Sequence, residues 1–83
     1  MQEFNFPELD ALNFDAMKIK LAQGWMGIFM EKSASIPEAD VICCVYNGKK
    51  FNIKFDLDYG VCMEIIDHMD RDEISLVVRN LTS

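Results

Sequence analysis

The dipeptide Asn47-Gly48, set between "VICCVY" and "KKFNIKF", constrains this chain more than any other feature. A two-residue type I′ turn needs positive φ at both central positions, and Asn and Gly tolerate that best, so the segment predicts a tight hairpin. Tyr46 then faces Lys49, Cys44 faces Phe51, and Ile42 faces Ile53. Period-two alternation gathers Ile42, Cys44, Phe51, Ile53 and Phe55 on one side of the ribbon, the expected core side. The opposite side carries Val41, Cys43 and Val45 beside Lys50, Asn52 and Lys54, a mixed surface suited to a covering element or a partner.

The hairpin also bears on the vicinal cysteines. Adjacent strand residues point to opposite faces, so Cys43 and Cys44 cannot share one metal ion or readily bond to each other. Zinc sites use paired ligands at spacings such as C-x₂-C, whereas this chain adds only a remote Cys62 and a single histidine, His68. Three cysteines without a secretion signal point to reduced, structural thiols. Neither a metal nor a cofactor is expected.

Flanking segments extend the pattern. In "PELDALNFDAMKIKLAQG", Pro7 with Glu8 and Asp10 suits a helix start, Leu9, Leu12, Ala16 and Ile19 recur at helical spacing, and Gly24 suits its end. A helix is predicted from about 7 to 22, although Met17, Ile19 and Leu21 alternate with Lys18 and Lys20 as a strand would. The doubly apolar "WMGIFMEK" predicts a strand at 25–31, and "SASIPEAD" a loop. Asp58 is read as the cap of a second helix with Val61, Cys62, Ile65, Ile66 and Met69 inward and Met63, Glu64 and Asp67 outward.

After the break "DRDE", the segment "ISLVVRNL" fits either a strand or a helix. The helix is preferred, with Ile74, Val77, Val78 and Leu81 on one face, Asp72 and Glu73 at its start and Arg79 near its end. The expected fold class is α+β: an antiparallel three-stranded sheet packed by helices, in the order α-β-β-β-α followed by a short C-terminal helix or strand. Eighty-three residues bound this to a single domain spanning 1–83.

Charge narrows the functional classes. The net charge is −6, from 8 basic and 14 acidic residues. Phosphate-backbone binding draws its affinity from Lys and Arg, so no direct nucleic-acid contact is expected. Runs without charge fall far short of the roughly 20 apolar residues that span a bilayer, and "MQEFNFPELD" has neither a basic nor an apolar leader region. No membrane association and a cytoplasmic location are expected.

Catalytic signatures are missing as well. Asp56-Leu-Asp58-Tyr-Gly60 resembles the opening of an EF-hand loop, but Gly60 falls on a ligand position and Val61 on the obligatory glycine position. With no phosphate loop, dinucleotide fingerprint or nucleophile motif, the chain is expected not to be an enzyme.

The acids Asp58, Glu64, Asp67, Asp70, Asp72 and Glu73, with Met63 among them, form the candidate partner-binding surface. They point to a small acidic binding protein that inhibits or sequesters a larger protein with a basic, nucleic-acid-handling surface. Nucleic-acid mimics of the anti-CRISPR-like kind made by phage and mobile elements exemplify that class. An immunity protein, an antitoxin or a regulatory subunit is the alternative, and a small thiol or metal protein using Cys62, His68 and Asp67 a third. The chain is expected to act as a monomer or homodimer.

Overall fold

Alternation at period two organises most of the chain. The computed structural model describes residues 2–83. Its elements run β1 (Gln2–Asn5), a 3-10 turn (Pro7–Ala11), α1 (Phe14–Ala22), β2 (Ile28–Ile36), β3 (Ala39–Tyr46), β4 (Lys49–Asp56), β5 (Gly60–Ile65) and α2 (Arg71–Leu81). The five strands form one sheet in the order β1-β5-β4-β3-β2, with every neighbouring pair antiparallel. The 3-10 turn and both helices cover one face. Leu9, Met17, Leu21, Ile74, Val77 and Leu81 there meet Ile42, Phe51, Ile53 and Met63 from the sheet.

The central hairpin has the register its sequence predicts: Tyr46 opposite Lys49, Cys44 opposite Phe51, Ile42 opposite Ile53. Asn47 and Gly48 take φ of 51° and 73°, as the tight turn requires. Ile42, Cys44, Phe51 and Ile53 are buried, and Phe55 packs half-buried against them.

The α+β class holds, but the sheet has five strands rather than three, and the order is β-α-β-β-β-β-α. Four differences account for this. First, β1 pairs with β5 at the sheet edge, where only Phe4 of its four residues is even half-buried. Second, the helix expected over 7–22 divides. Pro7–Ala11 is a 3-10 turn, and α1 begins anew after Asn13, whose side chain accepts the Ala16 amide at 2.9 Å.

Third, the strand expected at 25–31 starts at Ile28 and continues to Ile36, through residues read as a loop. Trp25 and Ile28 exchange backbone hydrogen bonds across Met26-Gly27, both at positive φ, so "WMGI" is itself a tight turn. Met30 pairs with Cys44 and Lys32 with Cys43, leaving Glu31 as a bulge, and Pro37-Glu38 reverses the chain into β3.

Fourth, residues 60–65 are a strand, not a helix. Val61, Met63 and Ile65 are buried at period two, while Cys62 is half-buried and Ile66 is 49% exposed. Asp58 caps nothing. Asp56 instead accepts the amides of Asp58 and Tyr59 at 2.8 and 3.0 Å, closing the turn that feeds β5.

The last element is a helix, as preferred. Asp70 accepts the Glu73 amide at 2.8 Å while Glu73 accepts the Asp70 amide at 3.2 Å, a reciprocal capping box. Ile74, Val77, Val78 and Leu81 face the core.

Candidate interaction surface

The acids singled out in the sequence do not share one helix face, because the helix that would carry them does not exist. Met63 is 0% exposed and belongs to the core, a correction that follows directly from strand alternation. Glu64 lies on the open side of the sheet, where Asn52 Nδ2 donates to it at 3.3 Å. Asp67 accepts the Lys50 amide at 2.8 Å, Asp70 caps α2, and Glu73 receives Lys49 Nζ at 2.7 Å. Asp72 stays exposed on the first turn of α2. Asp58 sits at the opposite end of the sheet, two residues beyond the Asp56–Gly60 pair that closes β4 on β5.

That opposite end brings together residues the sequence analysis did not link. The turn at Pro37-Glu38 and the turn at residues 57–59 lie side by side, tied by Leu57 N–H donating to the Glu38 carbonyl at 3.1 Å. Ile36, Leu57 and Tyr59 stand 49%, 74% and 85% exposed at this tip. Glu38, Asp56 and Asp58 belong to the same two turns. Asp10 reaches the tip from the 3-10 turn, accepting the Val61 amide at 3.1 Å. The amides of Asp58 and Tyr59 hold the Asp56 carboxyl below its ordinary value, so it stays charged. The signal in the sequence was the pair Leu57 and Tyr59, two large apolar side chains set among acids in a turn.

The helix-free face of the sheet is mixed, as its alternation predicts. Val41, Cys43 and Val45 are half-buried beside Lys50, Asn52 and Lys54. Lys50 and Glu31 approach to 4.0 Å, an exposed pair that contributes little. Asn52 Oδ1 is buried without a partner among the described residues.

All three cysteines are free. Cys43 and Cys44 occupy opposite faces, and burial pushes the Cys44 thiol up to about 12, with smaller contributions from Cys43 and Glu31. Burial, then Glu3 and Glu64, also raises Cys62. Cys62 faces Lys54 and Asn5 across the sheet, whereas His68 lies in the link to α2 beside Arg71 and Gln2. No group of three or more His, Cys, Asp or Glu side chains suited to a metal ion occurs among the described residues. No described helix is long and apolar enough to cross a membrane.

Comparison with protein families, curated proteins and solved structures yields no match, so the geometry alone carries the functional reading.

Proposed function

We propose that this protein is a non-enzymatic, cytoplasmic binding protein that docks onto and sequesters a larger protein with a basic, nucleic-acid-handling surface. The observation that carries the reading is the tip: Leu57, Tyr59 and Ile36 are exposed at two hydrogen-bonded turns that also carry Glu38, Asp56 and Asp58, with Asp10 bonded to the adjoining Val61 amide. Protein interfaces concentrate their energy in a few apolar or aromatic anchors, with a polar rim that excludes water. The acidic rim selects a basic counterpart and speeds encounter with it. Of the residues singled out in the sequence, this reading keeps Asp58 and sets aside Met63, Glu64, Asp67, Asp70, Asp72 and Glu73.

The test uses affinity capture from the native cells, followed by kinetics on the captured protein. Leu57→Ala with Tyr59→Ala is expected to weaken binding at least tenfold without lowering the melting temperature. Asp58→Lys is expected to slow association and flatten its salt dependence. A nucleic acid that the partner holds is expected to compete with this chain. Full binding by the Leu57/Tyr59 variant, or equal losses from Asp72→Lys at the far end, would overturn the tip as the contact surface.

A further inference from the structure

A second surface lies between β1 and α2, away from the two turns of the tip. Both arginines of the chain, Arg71 and Arg79, lie on α2 along one continuous groove. Its near half, a cavity of about 480 Å³, runs between β1 and the start of α2. Its far half continues past Phe6 and Ser75 to Thr82. The floor is apolar, built from Phe4 and Phe6, whose rings stack at 6.2 Å, with Ile74 and Val78 of α2.

Above the groove the sheet simply stops. β1 is the terminal strand in the order, paired with β5 on one side only, so its other edge presents unpaired backbone amides and carbonyls. The groove lies beside this free edge, where a sixth strand would pair with β1. Gln2 and Phe4 of β1 line it at the Arg71 end, and Phe6 and Glu8, which follow the strand, line it toward the Arg79 end, so the chain from β1 into the 3-10 turn follows α2.

The arginines set the chemistry of such a strand. Neither has a carboxylate within ion-pair distance among the described residues. Asp70 and Glu8 stand at the two ends of the groove, but Asp70 is committed to the Glu73 amide. Arg79 follows Arg71 by eight helical steps, about 12 Å along the axis. Four residues of an extended chain cover about 13 Å, and residues i, i+2 and i+4 point to one face.

We infer that the free edge of β1 and the arginine groove of α2 bind an extended acidic peptide segment of another protein by strand addition, with acids at i and i+4 and an apolar residue at i+2. Backbone pairing with β1 supplies affinity. The central side chain rests on Phe4 and Phe6, and the two carboxylates meet Arg71 and Arg79, so register and charge supply specificity.

The probe is the labelled peptide Thr-Glu-Thr-Val-Thr-Glu-Thr, blocked at both ends, titrated against the isotope-labelled protein. Its binding is expected to shift and protect the β1 amides and to move those of Arg71, Ser75 and Arg79. A peptide with lysine for glutamate, and one with the acids three residues apart, are each expected to bind at least tenfold more weakly. Arg71→Glu with Arg79→Glu, both at exposed positions, is expected to reverse the preference between the acidic and lysine peptides. Leu57→Ala with Tyr59→Ala is expected to leave peptide binding unchanged, which separates this inference from the tip surface. Absence of β1 shifts at millimolar peptide, equal binding of the acidic and lysine peptides, or a dimer paired through β1 in sedimentation would overturn it.

Discussion

Lys49 Nζ contacts both carboxylate oxygens of Glu73, at 2.7 and 2.8 Å, and this pair fastens the first residue of β4 to the first turn of α2. Glu73 also accepts the Asp70 amide. One side chain thereby joins the hairpin, the helix and its cap.

The pair implies an acid dependence. Lys49, then the Asp70 amide, hold the Glu73 carboxyl below its ordinary 4.5, and the turn amides likewise lower Asp56 from 3.8. A folded-state pKa below the unfolded value adds stability that is complete above the unfolded value and lost as pH falls through the folded one. Glu73→Gln is therefore expected to melt below the parent at neutral pH, with the gap closing in acid beneath those values. Melting curves at about pH 7 and about pH 2.5 check this, and a constant gap would contradict it.

The thiols are expected to divide by face. At about pH 8 a thiol reagent should modify Cys43 and Cys62 in the native protein and reach Cys44 only on unfolding, since Cys44 is buried with its pKa near 12. Because that value exceeds the ordinary 9.0, stability should decline as pH rises above 9.0. Cys44→Ser should cost about 1–3 kcal/mol, and Cys43→Ser little. Mass spectrometry of labelled protein and urea titrations read these outcomes.

Gly60 opens β5 at a φ of 84°, and a Cβ there would stand 2.7 Å from Asp10 Oδ1. Gly60→Ala should therefore cost more than the ~1–2 kcal/mol of a left-handed backbone alone. Pairing it with Asp10→Ala should recover the excess, leaving the backbone cost and the lost hydrogen bond to Val61, about 1 kcal/mol. Additive losses in a double-mutant cycle would show that the two residues do not meet.

Met63 and Glu64 distinguish the strand from the helix that the sequence suggested. Met63→Ala should cost about 2–5 kcal/mol, while Glu64→Ala should stay within about 0.5 kcal/mol. Similar small effects at both positions would favour the helical reading of this segment.

That misreading has a specific origin. Val61 and Ile65 are four apart and share a face in either conformation, so Cys62, Met63 and Ile66 are the residues that discriminate, and all three are apolar. The central hairpin was legible because Asn47-Gly48 sets its register locally, and α2 because acids mark its start and apolar residues repeat at 3.6.

Edge strands leave fainter marks. The second half of β2, "SASI", buries nothing and so carries no alternation. β1 acquires its conformation from a partner far along the chain. Of the candidate surface, Asp58 alone was foreseen, because the tip depends on two turns meeting through Leu57 and Glu38, a contact that no local pattern encodes.

Strands β2 to β5 are neighbours in sequence and join through short turns, whereas Gln2 pairs with Ile65, about 60 residues away. Closing that long loop brings its entropic penalty before any reward, so the meander is expected to form as a local unit before β1 docks onto it. During synthesis β1 leaves the ribosome well before its pairing partner exists. Substitutions in β1 should consequently accelerate unfolding while leaving the refolding rate nearly unchanged, which makes this strand a determinant of the native state's lifetime rather than of how fast that state is reached.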